Sequence, residues 1–279
     1  MRGATTGVRS RAPQVIAVYV FLMLLSVASF APFVWLVMTS IKPEDEVFTR
    51  VFPSRIVWEH YVRGLTHFPF LLYLRNTLIL CTANVIGTLI SSSMVAYGLA
   101  RVPWRGRHVL FAALLSTMML PAQVTMVPLF AVFKWLGWID TFLPLTVPAF
   151  LGNAFFIFLL RQFFLTLPGE LSDAALLDGC SEFDIYRKVI LPLAAPALAT
   201  VALFVFLGTW NEFLGPLIYL YDADKFPLSL GLAMFTSQYG SFWGQLMAVS
   251  TVMTVPILVL FFLTQRTFIQ GIAMSGIKG

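Results

Sequence analysis

The stretch Leu167-Pro168-Gly169-Glu170-Leu171-Ser172-Asp173-Ala174-Ala175-Leu176-Leu177-Asp178-Gly179-Cys180-Ser181-Glu182-Phe183-Asp184-Ile185-Tyr186-Arg187-Lys188-Val189-Ile190-Leu191-Pro192 carries five of the thirteen acids of the chain, with long uncharged runs on either side. A charged, turn-punctuated segment between membrane-length runs has no reason to enter lipid, so it belongs in water or against a protein partner. Its punctuation predicts two short helices joined at Asp178-Gly179. Pro168 and Gly169 stop what precedes them, and Glu170 suits the positive end of a new helix. Gly179 can take the positive φ that ends that helix. Ser181 with Asp184 three residues later resembles a capping box, with Asp where Glu or Gln is usual.

Composition agrees with a membrane setting. The 279 residues are 59% hydrophobic and 11% charged, with mean hydropathy +0.86, against about 25% charged residues in a soluble domain. The formal charge of +5 is read as basic residues that orient membrane helices, not as a nucleic-acid surface. Cys81 and Cys180, one in an uncharged run and one in the polar loop, supply neither a disulfide framework nor a metal site. Arg2, Arg9 and Arg11 ahead of an apolar run, with Ser26-Val27-Ala28, mimic a signal peptide. However, the run stays uncharged from Val15 to Met38 and is long enough to cross a bilayer, so it is read as a retained helix.

Uncharged runs predict six spans in one transmembrane domain covering residues 1–279: about 15–38, 76–100, 109–133, 141–160, 193–214 and 244–263, with the polar loop at 168–192 between the fourth and fifth. Six spans put both termini on one side. With the N-terminus inside, eleven lysines and arginines lie inside and seven outside, and Arg101, Arg105 and Arg107 form the densest inner group. This bias makes the polar loop and both termini cytoplasmic.

Apart from Glu212, which falls at the outer end of the fifth run and not at the midplane, no run contains Asp, Glu, Lys, Arg or His, so the chain lacks the intramembrane ionisable residue usual in proton-coupled pumps. Uncharged polar groups do occur at depth. Gln123, between Pro121 and Pro128, and Asn153, after Gly152, could line a path for a hydroxyl-rich solute or could equally hydrogen-bond between helices. Trp210-Asn211-Glu212 at the end of the fifth run suits sugar binding, and suits an interfacial aromatic belt just as well. No HExxH, GxSxG or CxxC is present, and Gly271 to Lys278 fails as a phosphate loop because Ile277 stands where Lys is needed. A transporter without an internal energy source is left, or a self-sufficient carrier or channel for a polar solute.

The polar loop resembles the EAA loop of ABC-importer permeases, whose pattern is Glu-Ala-Ala, three residues, Gly, nine residues, then Ile-x-Leu-Pro. Asp173-Ala174-Ala175, Gly179 and Val189-Ile190-Leu191-Pro192 follow that spacing, with Asp for Glu at 173 and Val for Ile at 189. The likeness covers most of the chain and is nearest the carbohydrate-uptake, maltose-type permeases. It includes Ser40-Ile41-Lys42-Pro43, Ala96-Tyr97-Gly98-Leu99-Ala100-Arg101, Pro121 to Pro128, Trp210-Asn211-Glu212, and the tail from Gln265-Arg266 to Gly279.

The resemblance implies an all-α membrane protein of the type I ABC importer permease fold in a bacterial or archaeal cytoplasmic membrane. It implies four partners: a second permease subunit, two ATP-binding cassette subunits and an extracytoplasmic solute-binding protein. ATP and Mg would be bound by those partners, and this chain would bind no cofactor or metal and catalyse nothing itself. Asp173, Ala174, Ala175, Asp178, Gly179 and Pro192 would form the ATPase-coupling surface, the two alanines letting the partner approach closely. Gly276, Ile277, Lys278 and Gly279 would be a tail reaching the ATPases.

Overall fold

A computed structural model of the chain describes residues 12–237 and 240–275; the tail Gly276–Gly279 lies outside them. Among the described residues the regular secondary structure is helical except for the two-residue strands Thr236–Ser237 and Gly240–Ser241. They form two compact units, one within Met1–Leu65 and Ser237–Met253, the other within Thr66–Thr236 and Thr254–Gly279.

In the first unit, α1 (Ala12–Ser40) is apolar on all sides, and residues 15–35 are all exposed within the chain. A helix that is hydrophobic all round and has no protein partner over most of its length is suited to lipid. Its last turn runs into Ser40-Ile41-Lys42-Pro43. Lys42 is fully buried; its Nζ donates to the Arg50 carbonyl at 2.8 Å and lies 4.2 Å from the Trp35 ring centroid. Ser40 Oγ bonds Tyr61 Oη in the short helix α2 (Glu59–Thr66) at 2.8 Å, and Ser54 N donates to Glu46 at 2.9 Å. A buried ammonium that is met by a carbonyl and an aromatic face fixes how the chain leaves α1.

In the second unit the spine is α3 (Phe70–Ala100). It starts six residues before the uncharged run, because a charge bounds a hydropathy run but not a helix: Arg75 lies on an exposed face within it. The run 109–133 is two helices, α4 (Arg107–Thr117) and α5 (Ala122–Trp135), bent by 96°. Pro121 sits at the bend as the N-cap of α5, with extended backbone, and its ring disfavours helix in the preceding residue, Leu120. The fourth apolar segment has a short α6 (Leu143–Thr146), a 3-10 turn (Val147–Leu151), a break at Gly152 (φ 93°), and α7 (Ala154–Thr166).

The polar loop gives α8 (Glu170–Leu177) and α9 (Glu182–Ile185), then a π-helical turn (Tyr186–Ile190) and α10 (Leu191–Leu193). The segment Glu182–Leu193 is bent by 78° from α11 (Ala195–Trp210). Short helices α12 (Leu214–Tyr219) and α13 (Leu228–Ala233) follow, and α14 (Trp243–Ser275) closes the described chain. By length and composition there are four membrane-length segments, or six if each bent pair is one span.

The main core lies where the Ala100 end of α3 meets α7, α11 and the polar loop. Leu99, Leu160, Phe164, Ile185, Ile190 and Val201 are all at most 3% exposed there. At the Phe70 end, Asn76 Nδ2 donates to the carbonyls of Asp224 (2.8 Å) and Phe226 (3.0 Å), and Leu228 N donates to Thr77 Oγ1 at 2.9 Å. The connection between α12 and α13 is thereby stitched to the spine through its own backbone groups.

Asp140, with φ 60°, organises the adjacent turn. Its carboxylate accepts from Tyr221 N and Asp222 N, each at 3.0 Å, and from Lys225 Nζ at 2.9 Å. The Asp222 amide, the Lys225 ammonium and the Tyr221 amide hold its pKa down at about 2. Because this lies below the value of an unfolded aspartate, the anchoring is present from about pH 4 upward and is lost as pH falls through the folded value. Asp140→Asn is expected to raise protease cleavage within 220–227 several-fold at pH 7, whereas the native turn keeps its protection down to about pH 3. Cleavage rates across pH for the two proteins check this.

Candidate functional site

The turn between α8 and α9 is a Schellman motif. Gly179 has φ 80°, its N donates to Leu176 O at 3.0 Å, and Cys180 N donates to Ala175 O at 3.0 Å. Both orphan carbonyls at the helix end are thus satisfied, which requires a left-handed residue at 179. No neighbouring atom lies within 4 Å of where a Cβ at Gly179 would sit, so the glycine answers to backbone conformation and not to crowding. Ser181 caps α9: its Oγ accepts from Asp184 N at 3.2 Å and lies 2.6 Å from Asp184 Oδ2. Lys188 pairs with Asp184 at 2.6 Å, and this ammonium with the Ser181 hydroxyl holds the Asp184 pKa down at about 2.

The residues of α8 divide by face. Asp173, Ala174 and Asp178 are exposed, while Ala175 is 9% exposed and packs in the chain's own core. Of the two alanines expected to let a partner approach closely, Ala174 is exposed and Ala175 belongs to the buried cluster of this chain. Pro192 lies in α10, beyond the π turn. Sequence reasoning missed the apolar side chains that share the loop: Leu177 is 90% exposed, Phe183 59%, Leu176 48% and Leu171 40%. Large apolar side chains left open on a segment too polar for lipid mark a protein-binding face. The signal was available in the sequence as Leu176-Leu177 between two acids.

A second feature is an open cavity of about 530 Å³ lined by α3, the α6–α7 break, α11 and α12. Its polar lining comes from Asn84, Thr88, Asn153, Thr209 and Glu212, set among prolines 144, 148, 216 and 227. Asn153 Oδ1 caps α7, accepting from Phe155 N (3.0 Å) and Phe156 N (3.3 Å), so its amide nitrogen is the part left for the cavity. Glu212 Oε1, one residue ahead of the α12 N-cap Phe213, accepts from Gly215 N in the first turn of α12 at 2.8 Å. Asn84 Nδ2 is spent on Leu80 O and Leu145 O, both at 2.9 Å.

The other pathway candidates lie elsewhere. Trp210 is 2% exposed and stacks on Phe206 with centroids 5.4 Å apart, so its ring offers no open face to a sugar. Asn211 bonds back to Leu207 O at 2.8 Å, and Gln123 sits exposed in the first turn of α5; neither lines the cavity. The structure therefore brings Asn153 and Glu212 together and separates them from Gln123, Trp210 and Asn211.

Residues 88–273 match the family described as binding-protein-dependent transport system inner membrane component. The chain is 33% identical over 273 residues to the arabinooligosaccharides transport system permease protein AraQ of Bacillus subtilis, covering 95% of this chain and 96% of that protein. It is 32% identical to the trehalose/maltose transport system permease protein MalG of Thermococcus litoralis, covering 92% and 94% respectively. Its fold is similar to a chain in the crystal structure of a bacterial ABC transporter that imports the acidic polysaccharide alginate. That likeness has TM-score 0.80 and 25% identity, and covers 94% of this chain and 99% of the other.

Proposed function

The chain belongs to the family of binding-protein-dependent transport system inner membrane components, and on that premise we propose that it is the permease subunit of an ATP-driven sugar importer, with the face of Leu177 and Phe183 as its ATPase-docking surface. The observation that carries the coupling role is that large apolar side chains stand open on the polar loop. The carbohydrate class follows from relatives named for arabinooligosaccharides and for trehalose and maltose. In this reading the loop and both termini are cytoplasmic, two ATP-binding cassette subunits dock on the loops of a permease pair, and a solute-binding protein delivers sugar from outside. The exposed members of the coupling set, Asp173, Ala174 and Asp178, flank the apolar face. Gly179 fixes the angle between α8 and α9, and Pro192 belongs to the bend that joins the loop to α11. ATP and Mg belong to the partner subunits, and the tail Gly276–Gly279 is proposed as a further ATPase contact.

The experiment is ATP-dependent sugar uptake into proteoliposomes that contain the complete transporter, compared with vesicles holding this chain alone. Uptake only in the first supports the reading; flux through the lone chain overturns it in favour of a self-sufficient carrier.

The cavity is the proposed contribution of this chain to the sugar path. Glu212→Gln and Asn153→Asp each keep the acceptor oxygen that bonds the first turn of a helix and change what faces the cavity. A hydrogen bond to a charged group contributes about 1.5 kcal/mol, so Glu212→Gln is expected to raise the apparent KM for uptake about tenfold, with complex yield unchanged. An unchanged KM together with a lower yield would make these residues structural only.

A further inference from the structure

The last turns of α3 hold the polar loop at two places. Tyr97 Oη donates to Glu182 Oε2 at 2.6 Å, and Ser93 Oγ bonds Tyr186 Oη at 2.7 Å, with the two tyrosine rings 5.3 Å apart. One turn further, Arg101 Nη2 donates to the carbonyls of Leu167 (3.0 Å) and Pro168 (3.1 Å), where the loop begins. Both tyrosines are buried, whereas Glu182 is exposed. The approach to α8, the first residue of α9 and the start of the π turn are thus tied to α3, while the chain beyond α10 turns through 78° into α11.

We propose that the Tyr97–Glu182 hydrogen bond is a latch that makes the coupling loop move with α3, so that force received at α8 reaches the cavity along α3 and not along α11. The inference rests on the importer reading above and adds a route to it. A helix joined end to end by i to i−4 bonds is stiff along its axis, whereas a bent junction absorbs rotation. From Tyr97 to Asn84, in the cavity wall, is about 20 Å along α3 at 1.5 Å per residue. The π turn at Tyr186–Ile190 adds a wider, irregular segment between the latch and α11, a feature that recurs at functional sites. Tyr97 and Glu182 are positioning residues here; neither touches sugar or nucleotide.

The test is the number of sugars imported per ATP hydrolysed by the complete reconstituted transporter. Tyr97→Phe and Glu182→Ala each remove the bond and are expected to lower that ratio about threefold to tenfold, with ATPase subunits still co-purifying. Glu182→Gln keeps an acceptor oxygen and is expected to restore the ratio. The double variant Tyr97→Phe/Glu182→Ala is expected to be no worse than the more severe single variant, because one bond is lost in each case. A native ratio in Glu182→Ala overturns the latch, and so does a double variant whose losses multiply. If buried Tyr97→Phe fails to assemble, the exposed Glu182 pair still decides between these outcomes. A failure of the importer reading shows differently, as absence of ATP-dependent uptake in the native transporter.

Discussion

Leu177→Asp is expected to reduce ATP-driven sugar uptake by tenfold or more while the permease still inserts and folds. Leu177 is 90% exposed and makes almost no packing contribution within its own chain, so its replacement leaves the fold without a cavity. On a docked partner the same side chain would be buried, and full burial of a leucine contributes about 1.5–3 kcal/mol. Removing it weakens docking by about one to two orders of magnitude, and the aspartate adds an unpaired charge at the contact. The measurement is twofold: uptake into proteoliposomes, and the fraction of ATPase that co-purifies with the permease. Normal co-purification and normal uptake in the variant would remove this face from the coupling surface.

Substitutions at Gly179 are expected to rank Asn above Ala above Val in retained uptake. The position needs φ 80° and offers open space to a Cβ, so the ranking follows tolerance of the left-handed region and nothing else. Asn visits that region readily, Ala less so, and a branched side chain worst. A strained non-glycine residue there costs on the order of 2 kcal/mol, about thirtyfold in the population of a correctly angled loop. Uptake by the three variants at equal complex yield reads the ranking. Equal loss in all three would point to partner crowding at 179 in place of backbone geometry.

The sequence and the structure agree most closely where local backbone chemistry decides. Gly179 and the Ser181 cap are local signals, and α8 and α9 stand where those signals put them, whereas the uncharged runs do not show the breaks at Pro121 and Gly152. Agreement fails where a neighbour decides. Nothing in Ala174-Ala175 says which methyl faces inward, because that is set by the buried cluster that Ala175 joins. Trp210 looks like a sugar platform until Phe206, one turn back, is seen to cover it. The run 109–133 reads as one span, and the 96° break between α4 and α5 emerges only in the structure, with Pro121 at the start of the second helix. The motif Ala96 to Arg101 was visible as a likeness without a purpose; only the fold shows that Tyr97 and Arg101 reach across to the polar loop.

The open apolar face at Leu176, Leu177 and Phe183 also bears on how the subunit is made. A chain synthesised without its partners carries an exposed sticky patch that, on the docking proposed above, an assembled transporter would hide. Such surfaces favour aggregation and capture by chaperones and proteases. On the docking proposed above, association with the ATPases would act as a stoichiometry control: subunits made in excess would remain exposed to clearance, and those that find partners would be spared by mass action.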